Sequence, residues 1–220
     1  MGCDEMLFEK VHSGEYAHGI IRFYAFSSAA VTVGMCQKIT QTEDVSAAEL
    51  KSVHITRRIT GGGLVRHNDD IPYTLILPVV FHDALKNLET SYSFIHGLLR
   101  SALKECGIDS TLARPDGSPF MGIRCCFNTP VADDIIVDGQ KIAGAAQKRK
   151  KGIILHQGSI DSTPFTSSAQ REEMQERFTA ELVREMKAES FNASLTQAEY
   201  DDALRLASEK YERPEWIYRC

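Results

Sequence analysis

The sequence predicts an α+β domain in which helices flank a central mixed or antiparallel β-sheet. Three observations support this class: strand-like segments come first, an amphipathic helix interrupts them, and the last fifty residues are helical. The chain has 220 residues, of which 43% are hydrophobic, and this is enough to form one core. We therefore expect a single domain over residues 1–220.

The first half of the chain supplies one helix and several strands. Residues 1–11 have apolar side chains at helical spacing. Residues 20–26 and 29–35 are predicted as two strands separated by a turn of small residues. A strand is also expected at residues 53–60, and the nearly continuous apolar run at 71–80 is typical of a central strand.

The second half adds the longer helices. Residues 91–107 form an amphipathic pattern that ends in glycine, as helices commonly do. The pair Asp138-Gly139 predicts a two-residue hairpin turn, and residues 152–160 are a further strand candidate. Apolar residues recur every four positions from Met174 to Met186, and Thr196 can cap a final helix.

Composition excludes several classes of function. The formal net charge of −5 argues against broad nucleic-acid binding. The sequence contains neither an apolar run of about 20 residues nor a secretory signal, so we expect no membrane partner and a cytoplasmic protein. Six cysteines are scattered without a C-x-x-C pair, so we expect reduced thiols and assign no metal site.

The glycine triplet Gly61, Gly62 and Gly63 lies between two arginines and His67. Glycine N–H groups can approach a ligand closely and cradle an anion, and Arg57 and Arg58 carry charge suited to phosphate or carboxylate. The alternative is a β-bulge or hairpin with exposed arginines. The spacing alone leaves both interpretations open.

Lys141 follows the predicted turn and precedes a run of small residues, Ala143 to Ala146. Small neighbours leave room for a bulky ligand, and a lysine there could neutralise a carboxylate or an oxyanion. The basic run at 148–151 is better explained as a solvated loop.

Cys125 and Cys126 raise a second chemical possibility. A cysteine acts as a nucleophile when a nearby cation or histidine stabilises its thiolate. Lys141 and His156 could do this, but a buried structural thiol is the commoner role of a lone cysteine. His67 and His156 could likewise be satisfied loop or core histidines.

Two long motifs together resemble those of one enzyme superfamily. The segment RRITGGGLVRH at 57–67 is similar to the R-R-x-[ST]-G-G-G-x-V-x-H signature of the lipoate–protein ligase and biotin ligase catalytic domains. Residues 133–160 resemble its second signature, with an Asp before a strand, then G-x-K-I-x-G-x-A-Q and H-x-G-[ST]. The resemblance covers almost the whole chain and implies the fold of those domains.

The resemblance implies a lipoate–protein ligase A-like enzyme. Such an enzyme uses ATP and Mg²⁺ to convert lipoate or octanoate to an acyl adenylate, then acylates a lysine of an acceptor domain. The implied acceptors are lipoyl domains of 2-oxoacid dehydrogenases or the glycine cleavage H protein. The implied site residues are Arg58, Gly61, Gly62, Gly63 and His67 around the adenylate; Lys141 at the acyl carbonyl and phosphate; Asp134 near the acceptor lysine or the metal–nucleotide side; Gly144 and Ala145 beside the acyl group; and His156 and Gly158 on the far wall.

The chain also departs from the ligase pattern. It begins inside the first helix of the family, so the N-terminal strand that the resemblance implies is missing. It ends soon after the catalytic domain, so we expect a single catalytic domain over residues 1–220 with no C-terminal accessory domain, and an accessory ligase subunit is a further expected partner. Cys126 lies in a C-F-x-x-P segment that resembles ATP-independent octanoyl or lipoyl transferases, in which this cysteine carries the acyl group. An acyl carrier protein would then be the donor.

The ligase is the preferred interpretation because the glycine and K-I-x-G motifs are complete, and the transferase is the main alternative. A biotin ligase is disfavoured because its G-R-G-R-x-G-R loop is missing. A third possibility is a non-catalytic binder of lipoyl or acyl-carrier domains, against which the intact Lys141 argues.

Overall fold

The largest element of the fold is a six-stranded antiparallel sheet with strand order β1-β5-β9-β8-β7-β6. The structure is a computed structural model and describes residues 1–39, 53–114 and 131–219. The strands of this sheet are β1 (Ile20–Phe23), β5 (Asp70–Pro78), β6 (Thr111–Leu112), β7 (Ile135–Val137), β8 (Gln140–Lys150) and β9 (Ile153–Asp161). Together with the flanking helices, it confirms the predicted α+β class.

A second sheet of three short strands carries the glycine triplet between two of them. It contains β2 (Ala30–Val33), β3 (His54–Arg57) and β4 (Val65–His67), in the order β3-β2-β4. β2 pairs with β3 in parallel and with β4 antiparallel. The triplet therefore connects the two edge strands of this sheet.

Five α-helices complete the described fold. They are α1 (Gly2–Ser13), α2 (Leu88–Glu105), α3 (Ser168–Glu185), α4 (Gln197–Leu206) and α5 (Pro214–Ile217), and a π turn follows α4. The Thr196 side chain caps α4 in a capping box with Glu199, as the sequence suggested. Among these helices of the described residues, none is long and apolar enough to cross a membrane.

The large sheet has two differently covered faces because successive side chains on a strand point to opposite sides. We call them the α1 face and the α2 face. On the α1 face, Ile76 and Leu155 pack against α1. On the α2 face, Tyr73, Leu75 and Ile154 pack against α2 and α3 in the main core.

The basic run at 148–151 is not the solvated loop that the sequence suggested. Its first three residues belong to β8, and Lys151-Gly152 forms the turn into β9. Arg149 donates to the Gln147 side chain at 3.1 Å, and Lys150 pairs with Glu9 of α1 at 2.8 Å.

Arg57 fastens the C-terminal residues to the small sheet. Its guanidinium is fully buried and donates to the Ile217 carbonyl at 2.7 Å and to the carbonyls of Gly34 and Gln37 at 2.7 and 2.8 Å. The Trp216 indole N–H donates back to the Arg57 carbonyl at 3.0 Å. Arg57 therefore serves the fold and does not offer the ligand-binding charge suggested by the sequence.

Candidate functional site

Lys141, near the start of β8, and Asp134, just before β7, form a buried ion pair. The Lys141 Nζ lies 2.7 Å from Asp134 Oδ2, and the two side chains are only 5% and 2% exposed. Burial raises the pKa of the Asp134 carboxyl, while the adjacent ammonium acts in the opposite direction. A buried lysine held by one carboxylate is a group that can meet developing negative charge.

A β-bulge aims Lys141 at the α1 face. Ile135 pairs with Ala143 but the next residue, Ile136, pairs with Lys141, so Ile142 is an extra residue on β8. Strict alternation would place Lys141 with Ala143 on the α2 face. Bulges of this kind redirect side chains and are common near active sites.

Gly144 leaves the space that the ion pair occupies. A Cβ at this position would lie 2.7 Å from Lys141 Nζ and 2.8 Å from Asp134 Oδ1. Both distances are shorter than real Cβ contacts, so a larger residue here would force the ends of one or both side chains to shift. The predicted residues Asp134, Lys141 and Gly144 are thus brought together.

The glycine triplet is held as an ordered loop by Arg58. The guanidinium donates to the carbonyls of Gly61 and Gly63 at 3.0 and 2.8 Å, and to the Thr32 carbonyl and hydroxyl at 2.9 and 2.7 Å. Gly62 has a φ of 82°, which favours glycine. These bonds fit a shaped loop better than the alternative of a hairpin with exposed arginines, since Arg58 is buried.

His67 belongs to a hydrogen-bonded chain that runs from this loop to the large sheet. Its Nδ1 lies 2.6 Å from Asp70 Oδ2 and its Nε2 lies 2.8 Å from Thr32 Oγ1. A carboxylate only accepts, so Nδ1 carries a proton and donates it to Asp70; in the neutral ring this leaves Nε2 to accept from the threonine hydroxyl. The Ser159 hydroxyl donates to the same Asp70 carboxylate, and Ser159 is the register partner of Gly144.

Gln157 and Ser159 are site residues that the sequence interpretation missed. The Thr60 hydroxyl at the base of the glycine loop donates to Gln157 Oε1 at 2.8 Å, and Gln157 Nε2 donates to Asp4 of α1 at 2.6 Å. Gln157 and Ser159 share the α1 face with Gly144. Successive residues of the H-x-G-[ST] motif point to opposite faces of the strand, so the sequence already implied that Gln157 and Ser159 lie on the other face from His156 and Gly158.

His156, Gly158 and Ala145 lie on the opposite, α2 face, away from Lys141. His156 Nδ1 lies 3.0 Å from the Gln147 amide nitrogen, and its Nε2 lies 3.2 Å from the Tyr73 hydroxyl. The ring is fully buried, and burial lowers the pKa of His156 well below its usual value. A Cβ at Gly158 would lie 2.3 Å from the Tyr73 ring. These residues pack on the α2 face of the sheet and do not share a face with the ion pair.

Cys126 lies outside the described residues, as does Cys125. In the described ranges, no group of three His, Cys, Asp or Glu side chains could hold a metal ion. A cavity of about 270 Å³ lies between the first turn of α1 and the small sheet. Its lining includes Phe26, whose ring stacks on His67 with centroids 4.4 Å apart.

Comparison with known proteins agrees with this architecture. Residues 1–196 match the lipoyl protein ligase A/B catalytic domain. The octanoyltransferase LipM of Staphylococcus epidermidis is 30% identical over 199 residues, which cover 83% of this chain and 72% of the relative. LipM of Bacillus subtilis is 28% identical over 261 residues, which cover 100% of this chain and 93% of the relative.

Solved structures share the fold at lower identity. A lipoate-protein ligase A bound with ATP has a TM-score of 0.79 and 20% identity, with 99% of this chain and 92% of the other covered. The bi-partite lipoate protein ligase from Thermoplasma acidophilum has a TM-score of 0.69 and 17% identity, with 98% of this chain and 91% of the other covered. The chain therefore belongs to the lipoyl protein ligase A/B catalytic domain family and is an enzyme of the lipoate ligase and octanoyltransferase class.

Proposed function

We propose that this enzyme is an ATP-independent octanoyl or lipoyl transferase that uses Cys126 as its acyl carrier. The observation that carries this is the buried Lys141–Asp134 pair on a chain whose relatives are named octanoyltransferase LipM. The cysteine of the C-F-x-x-P segment, 15 positions before Lys141, supplies the nucleophile that such a transfer needs. The order of preference from the sequence is thus reversed in favour of the transferase.

The first half-reaction moves the acyl group onto the enzyme. The Cys126 thiolate attacks the thioester carbonyl of an octanoyl group on an acyl carrier protein, and the bond to the carrier sulfur breaks. The carrier thiolate takes up the proton that Cys126 released. Negative charge develops on the carbonyl oxygen, and the Lys141 ammonium stabilises it.

The second half-reaction delivers the acyl group to a lipoyl acceptor domain. The neutral amine of the acceptor lysine attacks the acyl–Cys126 thioester, an amide forms, and the bond to the cysteine sulfur breaks. The proton lost by the amine returns to that sulfur. Asp134 holds Lys141 in place through both steps, because its carboxylate lies within hydrogen-bond distance of Nζ.

Adenylate formation remains the second candidate because the glycine and K-I-x-G motifs are complete. It would require ATP and Mg²⁺ next to the glycine loop. Arg58, the basic residue expected at the adenylate, makes four hydrogen bonds within the loop and to Thr32. Arg58 is thus already engaged in shaping the loop, and this favours thioester transfer over triphosphate binding.

Two parallel assays test the proposal with a purified apo lipoyl domain as acceptor. One contains octanoyl carrier protein without ATP, and the other contains lipoate or octanoate with Mg-ATP. We expect product in the first, with a hydroxylamine-sensitive acyl group on Cys126 that is seen by mass spectrometry. Cys126→Ser should abolish both the product and the acyl group on the enzyme, and Cys125→Ser is the matched control that should keep both signals.

Lys141→Ala should reduce the transfer rate by at least about 100-fold, the usual loss when a charge-stabilising donor is removed. Product only in the ATP assay would make the protein a ligase and overturn the proposal. Binding of the acceptor domain without product in either assay would leave only the non-catalytic binder.

A further inference from the structure

His96 on α2 contacts the turn that leads into Asp134. Its Nδ1 lies 2.5 Å from the Asp133 carbonyl oxygen. A carbonyl only accepts, so Nδ1 carries the proton and donates it. Its Nε2 is buried and has no hydrogen-bond partner among the described residues.

The turn over residues 131–134 is strained and is held from several sides. Asp133 has a φ of 66°, which is uncommon for a residue with a side chain. The Ser93 hydroxyl, one helical turn before His96, donates to Asp133 Oδ2 at 2.7 Å. The Val131 N–H donates to Asp134 Oδ2 at 2.6 Å.

The identity of residue 96 is informative because the position is fully buried. A leucine there would fill the core without desolvating polar nitrogen atoms, whereas the imidazole leaves one nitrogen unpaired. Burial also lowers the pKa of His96, which disfavours the charged form of the ring. The one bond that this histidine makes in the described structure goes to the strained turn.

We propose that His96 and Ser93 form a clamp on the 131–134 turn, and that His96 is a positioning residue for the Lys141–Asp134 pair. The clamp fixes the carbonyl and the side chain of Asp133, which sets the direction of the next residue, Asp134. Asp134 in turn holds Lys141 at 2.7 Å. Helix α2, which packs on the opposite face of the sheet, thereby controls the geometry of the α1 face.

This inference rests on the proposed transfer reaction, and three variants test it in the full-length protein. His96→Leu removes the donor at similar volume, His96→Asn keeps an N–H near the Nδ1 position, and Ser93→Ala removes the exposed half of the clamp. Ser101→Ala, also on α2, is the matched control, because its hydroxyl bonds only within the helix at Gly97.

We expect His96→Leu to lower kcat about 10- to 100-fold with little change in KM for the acyl donor, since small misplacements of a catalytic group have large effects. Ser93→Ala should lower kcat about threefold, which corresponds to the net free energy of one hydrogen bond. His96→Asn should recover most of the rate, and Ser101→Ala should match the wild type. In an Asp134→Ala background, His96→Leu should cause no further loss.

Unchanged kcat in His96→Leu, no recovery in His96→Asn, or additive losses with Asp134→Ala would each overturn the clamp. Amide hydrogen exchange separates this failure from failure of the proposed function. The amides of Asp133 and Asp134 should exchange faster in Ser93→Ala than in Ser101→Ala, whether or not the wild type transfers octanoyl groups. Equal exchange in the two variants would refute the clamp independently of activity. Because this measurement does not use His96→Leu, it tests the clamp even if that variant does not fold.

Discussion

A methyl group added at Gly144 would collide with both members of the ion pair. The new Cβ would lie 2.6 Å from Lys141 Cε and 2.7 Å from Nζ, while ordinary carbon contacts begin at about 3.5–4.0 Å. The lysine tip would therefore move by about 1 Å. A displacement of this size can lower a rate by about 100-fold, or about 2.7 kcal/mol in the activation free energy.

The assay compares kcat and KM for octanoyl transfer in Gly144→Ala with those of Gly158→Ala. The alanine at Gly158 would strike the Tyr73 ring on the α2 face, so it should destabilise the fold by about 1–3 kcal/mol through overpacking. Its kcat per folded molecule should stay near wild type. Gly144→Ala should show the reverse, a low kcat with a nearly unchanged urea midpoint.

Gly97→Ala on α2 is the control for glycine replacement itself. Nothing lies within 4 Å of its added Cβ, so stability should rise by about 1 kcal/mol without a change in rate. A normal kcat in Gly144→Ala would refute the assignment of the ion pair to the reaction. A low kcat in Gly158→Ala, at full folding, would refute the separation of the two faces.

Three further predictions concern stability. The pKa of His156 is lowered in the folded state, so the free energy of unfolding is not reduced by this group above the unfolded-state pKa of about 6.5. As the pH drops below that value, the free energy of unfolding decreases by up to about 1.4 kcal/mol per pH unit. Urea unfolding at pH 7.5 and 5.5 should therefore show a weaker pH dependence in His156→Gln than in the wild type, and an equal dependence would contradict this. Thr196→Ala removes the cap of α4 and should lower the free energy of unfolding by about 1 kcal/mol in urea titrations; no change would mean that α4 frays without consequence. Arg57→Met should lower it by more than about 3 kcal/mol because several buried carbonyls lose their donor; a thermal melt near that of the wild type would show that water replaces the guanidinium.

Local signals in the sequence predicted the elements well. Asp138 and Gly139 both have positive φ, 48° and 77°, as a tight hairpin turn between β7 and β8 requires. The apolar spacing of residues 91–107 gave α2, and Gly107 follows it with a φ of 79°. Such features depend on a few neighbouring residues, which is why the sequence alone is enough.

The side of the sheet on which each residue lies was harder to predict. The resemblance placed His156 and Gly158 on the far wall of the same pocket as Lys141, yet the bulge at Ile142 turns Lys141 to the other face of the sheet. A bulge arises from pairing between strands, so the residues of β8 do not reveal it. The parallel pairing of β2 with β3, which are separated by twenty residues along the chain, is likewise a long-range property.

The bonds of Arg57 to Trp216 and Ile217 have a consequence for how the protein can be shortened. The family match ends at residue 196, and a designer of a minimal catalytic domain would cut there. Such a cut would remove the Ile217 carbonyl that accepts from Arg57 and leave a buried guanidinium, next to the glycine loop, short of acceptors. A minimal catalytic domain should therefore keep the residues after 196, because the last helix supplies the carbonyl that Arg57, next to the glycine loop, needs as an acceptor.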